Sequence, residues 1–165
     1  MKLSLHWKVK GLIQLFLSKI PFGLYLNKQL QILNGSYKDE VILENVLEQS
    51  KQISEFNKRK SIAGNSVLEI GTGWNLIGVI LFHLKGAKII YGFDINRNAS
   101  YNIAKRLVFL VNQNLILVSE ALGVDKSILK NSCKKLLSTK SEDDFFSILN
   151  FLYKAPGDLR NTKLK

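Results

Sequence analysis

Apolar positions change their period several times along this chain, and each change marks an element. Trp7, Leu12, Ile13, Leu15, Phe16, Leu17 and Ile20 recur among Lys8, Lys10 and Lys19, the pattern of a basic amphipathic helix with Pro21 as its stop. Phe22 to Leu33 mixes apolar and polar residues, and Asn34-Gly35-Ser36 marks a break. Ile42, Val46, Ile53 and Phe56 then return at helical spacing and predict a second helix from about Asp39 to Lys58. Its acids stand in the first turn and its bases in the last.

From Ser61 the period shortens. The run Val67 to Ile70 reads as a strand, Leu76 to Leu84 as a helix stopped by Gly86, and Ala87 to Phe93 as a second strand ending in Asp94. A helix from about Asn98 to Val111 presents Ile103, Ala104, Leu107, Val108 and Val111 along one side. Leu115 to Leu122, Asp125 to Leu137 and Ser141 to Leu149 are three further helical stretches. Gly123 and Ser138-Thr139-Lys140 separate them, and Ser141 with the acids after it suits a capped helix start. Phe151 to Ala155 predicts a third strand. A strand-helix-strand crossover implies parallel neighbours joined in the right-handed sense, so the expected fold is α/β with a parallel sheet. Residues 1–60 form a basic helical segment in this reading. Residues 61–165 form the α/β part, with a helical insertion at about 114–147 that is either a lid over a binding site or a thickening of the core.

At 165 residues the chain is long enough for one domain with a real core, and 46% hydrophobic with 22% charged residues is a globular balance. A single cysteine, Cys133, excludes an internal disulfide framework and fits a reducing, cytoplasmic compartment. With only His6 and His83 beside it, no zinc cluster is expected. The net charge of +11 is unevenly placed, since residues 1–38 hold six lysines and no acid. That segment reads as a helix docking its apolar side on the domain or on a missing portion of the chain, with an anionic membrane surface as the alternative. Gln14 and Lys19 interrupt it and no small-residue cleavage site follows, so it does not read as a signal peptide. No stretch approaches the ~20 apolar residues that cross a bilayer. Nucleic acid is disfavoured as a partner, because the lysines are spread out without an aromatic-basic motif.

The candidate chemistry lies in Val67-Leu68-Glu69-Ile70-Gly71-Thr72-Gly73-Trp74-Asn75 and in Tyr91-Gly92-Phe93-Asp94-Ile95-Asn96. Glycines at 71 and 73 permit positive φ and let backbone approach a ligand, while the free N–H groups of the following helix can face a polar or anionic group. An acid at 94, ending a strand, can accept both hydroxyls of a ribose. Trp74, beside the glycines, can pack over a ligand or wedge between helix and sheet. Asn75 follows as the residue expected to tolerate the left-handed region.

Glu69-Ile70-Gly71-Thr72-Gly73, with its strand before, helix after and second acid, resembles the first motif of the class I S-adenosylmethionine-dependent methyltransferases. The resemblance implies a Rossmann-like fold with an incomplete three-stranded parallel sheet ordered 3-2-1, S-adenosyl-L-methionine as cofactor and methyl transfer to a small-molecule acceptor. Its motif acid and glycines would hold the methionine end of the cofactor, and Asp94 the ribose. Ala155-Pro156-Gly157-Asp158 resembles the family's turn after the third strand, making Asp158 an adenine-side contact. The implied cofactor set is Glu69, Gly71, Thr72, Gly73, Trp74, Asp94, Ile95 and Asp158. No catalytic base is implied: Tyr91, Tyr101, Tyr153 and His83 are available by chemistry but read as structural. The family's later strands have no counterpart before Lys165, so the resemblance covers an N-terminal half-domain, expected to be a truncated product that is inactive alone and leaves its first strand as an exposed edge. Two rival classes stand beside it. An NAD(P)-binding half-domain wants a third glycine where Leu76 stands, and a non-catalytic basic module would act through residues 1–38 at a membrane or an acidic partner.

Overall fold

The computed structural model describes residues 7–17, 19–23, 25–26, 29–30 and 38–157, which fall into two compact units, 1–42 and 43–165. In the first unit, helix α1 (Trp7–Leu17) ends four residues before Pro21, the expected stop. The chain turns there because Gly23 folds back on the helix end. A Cβ on Gly23 would lie 1.6 Å from the Leu17 carbonyl oxygen, so only glycine fits.

The second unit contains most of α2 (Asp39–Arg59), whose Asp39 and Glu40 open it and Lys58 and Arg59 close it in accord with the helix dipole. Val46, Ser50 and Ile53 are its buried stripe. Phe56, expected to continue that stripe, is exposed, because the stripe ends one turn earlier. The chain then alternates through β1 (Ser66–Ile70), α3 (Ile77–Leu84), β2 (Ile89–Phe93) and α4 (Tyr101–Gln113). It continues through α5 (Leu115–Leu122), α6 (Lys126–Leu137), α7 (Glu142–Leu149) and β3 (Phe151–Lys154).

The three strands form one parallel sheet with β2 in the centre, the expected 3-2-1 order. Register places Val67, Ile90 and Phe151 in one row and Glu69, Gly92 and Tyr153 in the next on the same face. Helix α3 packs against β1 and β2, and α7 against β3. Leu68, Ile70 and Leu152 alternate to the other face and are exposed, and among the described residues β1 pairs only with β2. The strand that carries the glycine turn is therefore an edge.

The stops and starts follow local chemistry. Gly86 and Gly123 take φ of 90° and 64° just past α3 and α5, where a side chain would be strained. The Asp125 carboxylate accepts the Ser127 N–H at 2.7 Å, and the Ser141 hydroxyl accepts the Asp144 N–H at 3.1 Å, capping α6 and α7. Helix α4 starts at Tyr101, later than the apolar spacing suggested. The Asn98 N–H before it donates instead to the Tyr153 hydroxyl at 3.2 Å.

Helices α5 to α7 complete the core. Val118, Leu122, Leu129, Leu136, Phe145 and Leu149 are fully buried, with α6 packed on α4 and α3. Truncating Phe145 to alanine would cost about 3–5 kcal/mol on the usual scale for a large core side chain. Cys133 is buried in the same layer, which pushes its thiol pKa up to about 12 and leaves it inert. Among the described residues no helix is long and apolar enough to cross a membrane.

Candidate functional site

The site is built where β1 ends. Gly71 and Gly73 take φ of 74° and 69°, the left-handed region that glycine adopts without a Cβ penalty. The Gly71 N–H donates to the Phe93 carbonyl at 2.8 Å, fixing the start of the turn to the end of β2. A Cβ on either glycine would meet nothing within 4 Å, so the turn looks onto open space.

The third left-handed residue is not Asn75, as expected, but Leu76, with φ 55°. Asn75 instead accepts the Ile77 N–H through its side-chain oxygen at 3.4 Å. Leu76 tolerates the strained backbone because its side chain becomes fully buried, and burial of a leucine (about 1.5–3 kcal/mol) outweighs the left-handed penalty of about 1–2 kcal/mol.

The close helix-to-strand approach, which a glycine at 76 would have supplied, is made two residues later. A Cβ on Gly78, in the first turn of α3, would lie 2.3 Å from the Glu69 carboxylate oxygen Oε1. Gly78 thus opens the slot in which the Glu69 side chain lies. Burial there raises the Glu69 pKa to about 7, and its Oε2 has no hydrogen-bond partner.

Two more oxygens share that condition. The Thr72 hydroxyl, in the glycine turn, and Asp94 Oδ2, at the end of β2, are buried and unpartnered. Among the described residues only four buried side-chain oxygens or nitrogens lack a partner, and three of them belong to Glu69, Thr72 and Asp94. The fourth, Ser50 Oγ, lies in α2. Buried polar groups are nearly always satisfied, and leaving one unmade costs about 1–3 kcal/mol. Three at adjacent strand ends mark a place built for something other than packing.

Neighbouring loops hold these groups in position. The Asp94 N–H donates to the Lys154 carbonyl at 3.2 Å, and the Gly157 N–H donates to the Asp94 carbonyl at 2.9 Å, so the turn after β3 meets the end of β2. The Trp74 carbonyl accepts the Ser100 N–H at 3.1 Å, tying the glycine turn to the start of α4. Tyr153 anchors residues 96–98 through its hydroxyl, while the Arg97 guanidinium, paired with Glu142, stands 5.8 Å from the Tyr153 ring centre. Ile95 is exposed beside Asp94. Of the anticipated residues, Glu69, Gly71, Thr72, Gly73, Trp74 and Asp94 cluster at the ends of β1 and β2, and Asp158 lies outside the described residues.

Gly78 and Gly92 were not singled out by the sequence. A Cβ on Gly92 would lie 2.3 Å from the Phe151 ring and 2.9 Å from the Thr72 methyl, so this glycine seats Thr72 over the sheet. Their signal was available: each is a glycine inside an otherwise apolar helix or strand, which marks a close approach.

A cavity of about 480 Å³ opens beside Glu69, along the β1 edge, where Gln49 and Gln52 of α2 face Leu68 and Phe82. It reaches Glu69 but not Gly71 or Asp94. The other titratable candidates are engaged in structure. Burial, with a smaller push from Lys135, lowers the His83 pKa against an opposing influence of the Leu149 backbone. The Tyr101 hydroxyl donates to the Thr139 carbonyl at 2.9 Å. No family model matches this chain, and neither the curated proteins nor the solved structures yield a match.

Proposed function

We propose that this chain binds S-adenosyl-L-methionine at the ends of β1 and β2 and belongs to a methyltransferase of the class its glycine motif resembles. The single observation that carries the reading is the trio of unpartnered buried oxygens on Glu69, Thr72 and Asp94 around an open glycine turn. Each has a counterpart in the donor groups of that ligand. A ribose offers two hydroxyl donors, which suits a carboxylate at a strand end, Asp94. An amino-acid ammonium suits Glu69, whose buried carboxylate gains a cation. The Thr72 hydroxyl, able to donate or accept, suits either part.

When bound, the ligand would supply a sulfonium-activated methyl group for transfer to an acceptor. The chain's own residues bind and orient. Gly71 and Gly73 admit backbone close to the ligand, Gly78 makes room for Glu69, and Tyr153 and Arg97 hold the loop after Asp94. Catalysis by such a site is mainly positional, through close and aligned reactants. The cavity beside Glu69 is the candidate approach for a small acceptor. A nicotinamide dinucleotide is the comparator, since it also carries riboses but gives Glu69 no ammonium.

A thermal-shift titration with S-adenosylhomocysteine tests this. Saturation at about a hundredfold above Kd should stabilise the chain by about 2.7 kcal/mol and raise Tm by several degrees, with less effect from NAD. No shift with a cooperatively unfolding chain contradicts the reading.

A further inference from the structure

We propose that the N-terminal segment is a surface anchor that lies in the interface of an anionic lipid bilayer. The inference stands apart from the cofactor reading and rests on two independent observations. Val9, Leu12, Ile13 and Phe16 recur at the i, i+3, i+4, i+7 spacing of one helix face, and all four are exposed, Leu12 and Phe16 at 66%. Phe22, at 84%, with Tyr25 and Leu26, prolongs the apolar exposure beyond α1. The second observation is charge. Residues 1–38 make up under a quarter of the chain yet hold six of its eleven net positive charges, with no Asp or Glu among them.

Length decides the mode of contact. An α-helix of 11 residues is about 16 Å long, half of the ~30 Å hydrocarbon core, so α1 lies along a bilayer surface and does not cross it. Charge decides the occupant. A second copy of the chain would bring twelve lysines and no acid into one interface, which like-charge repulsion opposes, whereas anionic headgroups neutralise them. Lysines beside an apolar stripe reach headgroups while their stems cover hydrocarbon.

The test is co-flotation of the full chain with vesicles of phosphatidylcholine alone or mixed with phosphatidylglycerol, at low and high salt. The proposal expects flotation with the anionic vesicles only, weakened by salt. Each lysine near the surface contributes about fivefold in partition, so the combined Lys8→Gln, Lys10→Gln, Lys19→Gln variant should lose about a hundredfold. The Leu12→Asp, Phe16→Asp variant should lose at least about tenfold through its apolar face. Leu152→Asp, an exposed apolar change on the sheet, should float like the parent. Circular dichroism confirms that each variant folds. Equal flotation with neutral vesicles, no flotation at all, or full flotation of the Leu12→Asp, Phe16→Asp variant overturns the proposal. So does a dimer dispersed by that variant in a chain that never floats.

Discussion

Replacing Glu69 with glutamine should change how stability depends on pH. Burial raises the folded-state pKa of Glu69 from the ordinary 4.5 to about 7, while in the unfolded chain it returns to the ordinary value. Between those two values the native state holds a proton that the unfolded state has released, so stability falls as pH rises through that window. Below about 4.5 and above about 7 this group adds no slope. At about 1.36 kcal/mol per pH unit, the window corresponds to about 3 kcal/mol, an upper figure because part of the side chain reaches solvent. Glutamine keeps the shape without the ionisation. Urea unfolding of parent and Glu69→Gln at pH 5 and pH 8.5 separates this group from the other carboxylates, which titrate in both proteins. The variant should gain on the parent by up to about 2.7 kcal/mol from the lower to the higher pH, since pH 5 already lies inside the window. Parallel pH profiles would refute the reasoning, because they would mean that the carboxylate ionises freely in the folded chain.

Further outcomes follow from the same geometry. S-adenosylhomocysteine should bind more tightly as pH rises through about 7, because Glu69 must ionise to meet an ammonium; calorimetry on either side of that value checks it. Gly92→Ala should cost about 1–3 kcal/mol in chemical denaturation, since its methyl meets the Phe151 ring and the Thr72 methyl at 2.3 and 2.9 Å. Gly78→Ala should displace the Glu69 carboxylate from its slot and flatten the pH dependence of stability, even where the fold survives. Tyr153→Phe should weaken ligand affinity more than stability, because its hydroxyl holds the loop behind Asp94; titration and melting of the same sample separate the two. Ser141→Ala should remove the α7 cap at a cost of about 1 kcal/mol, measured by urea unfolding.

The elements around the glycine turn were legible because glycine and acid punctuate them. Gly86 and Gly123 end helices with positive φ, and Ser141 with its acids opens α7, each a local signal that no tertiary contact opposes. The strands were legible in the alternation of β and helical periods, and their order was what the family resemblance implied. The errors arose where packing overrode local preference. Leu76, not Asn75, takes the left-handed conformation because its side chain fills the core, a reward invisible to a propensity argument. Phe56 continues the helical period but not the buried stripe, since a period tells which face a residue shares and not how far the covering element extends. Gly78 and Gly92 were not singled out because what they make room for, Glu69 and Thr72, comes from another element. For the candidate site itself, Gly71, Gly73 and Asp94 stood out at predicted strand ends, and Glu69 was implied by the family resemblance. That Glu69 Oε2 and Asp94 Oδ2 are buried without partners required the fold.

The most direct measurement is a calorimetric titration of the full chain with S-adenosylhomocysteine, alongside NAD and the Asp94→Ala variant, with circular dichroism confirming the fold of each sample. Saturable one-to-one binding is expected, with a markedly weaker response to NAD and loss of binding in Asp94→Ala without loss of structure. A folded chain that ignores S-adenosylhomocysteine, or that binds it equally well without the Asp94 carboxylate, would contradict the cofactor reading.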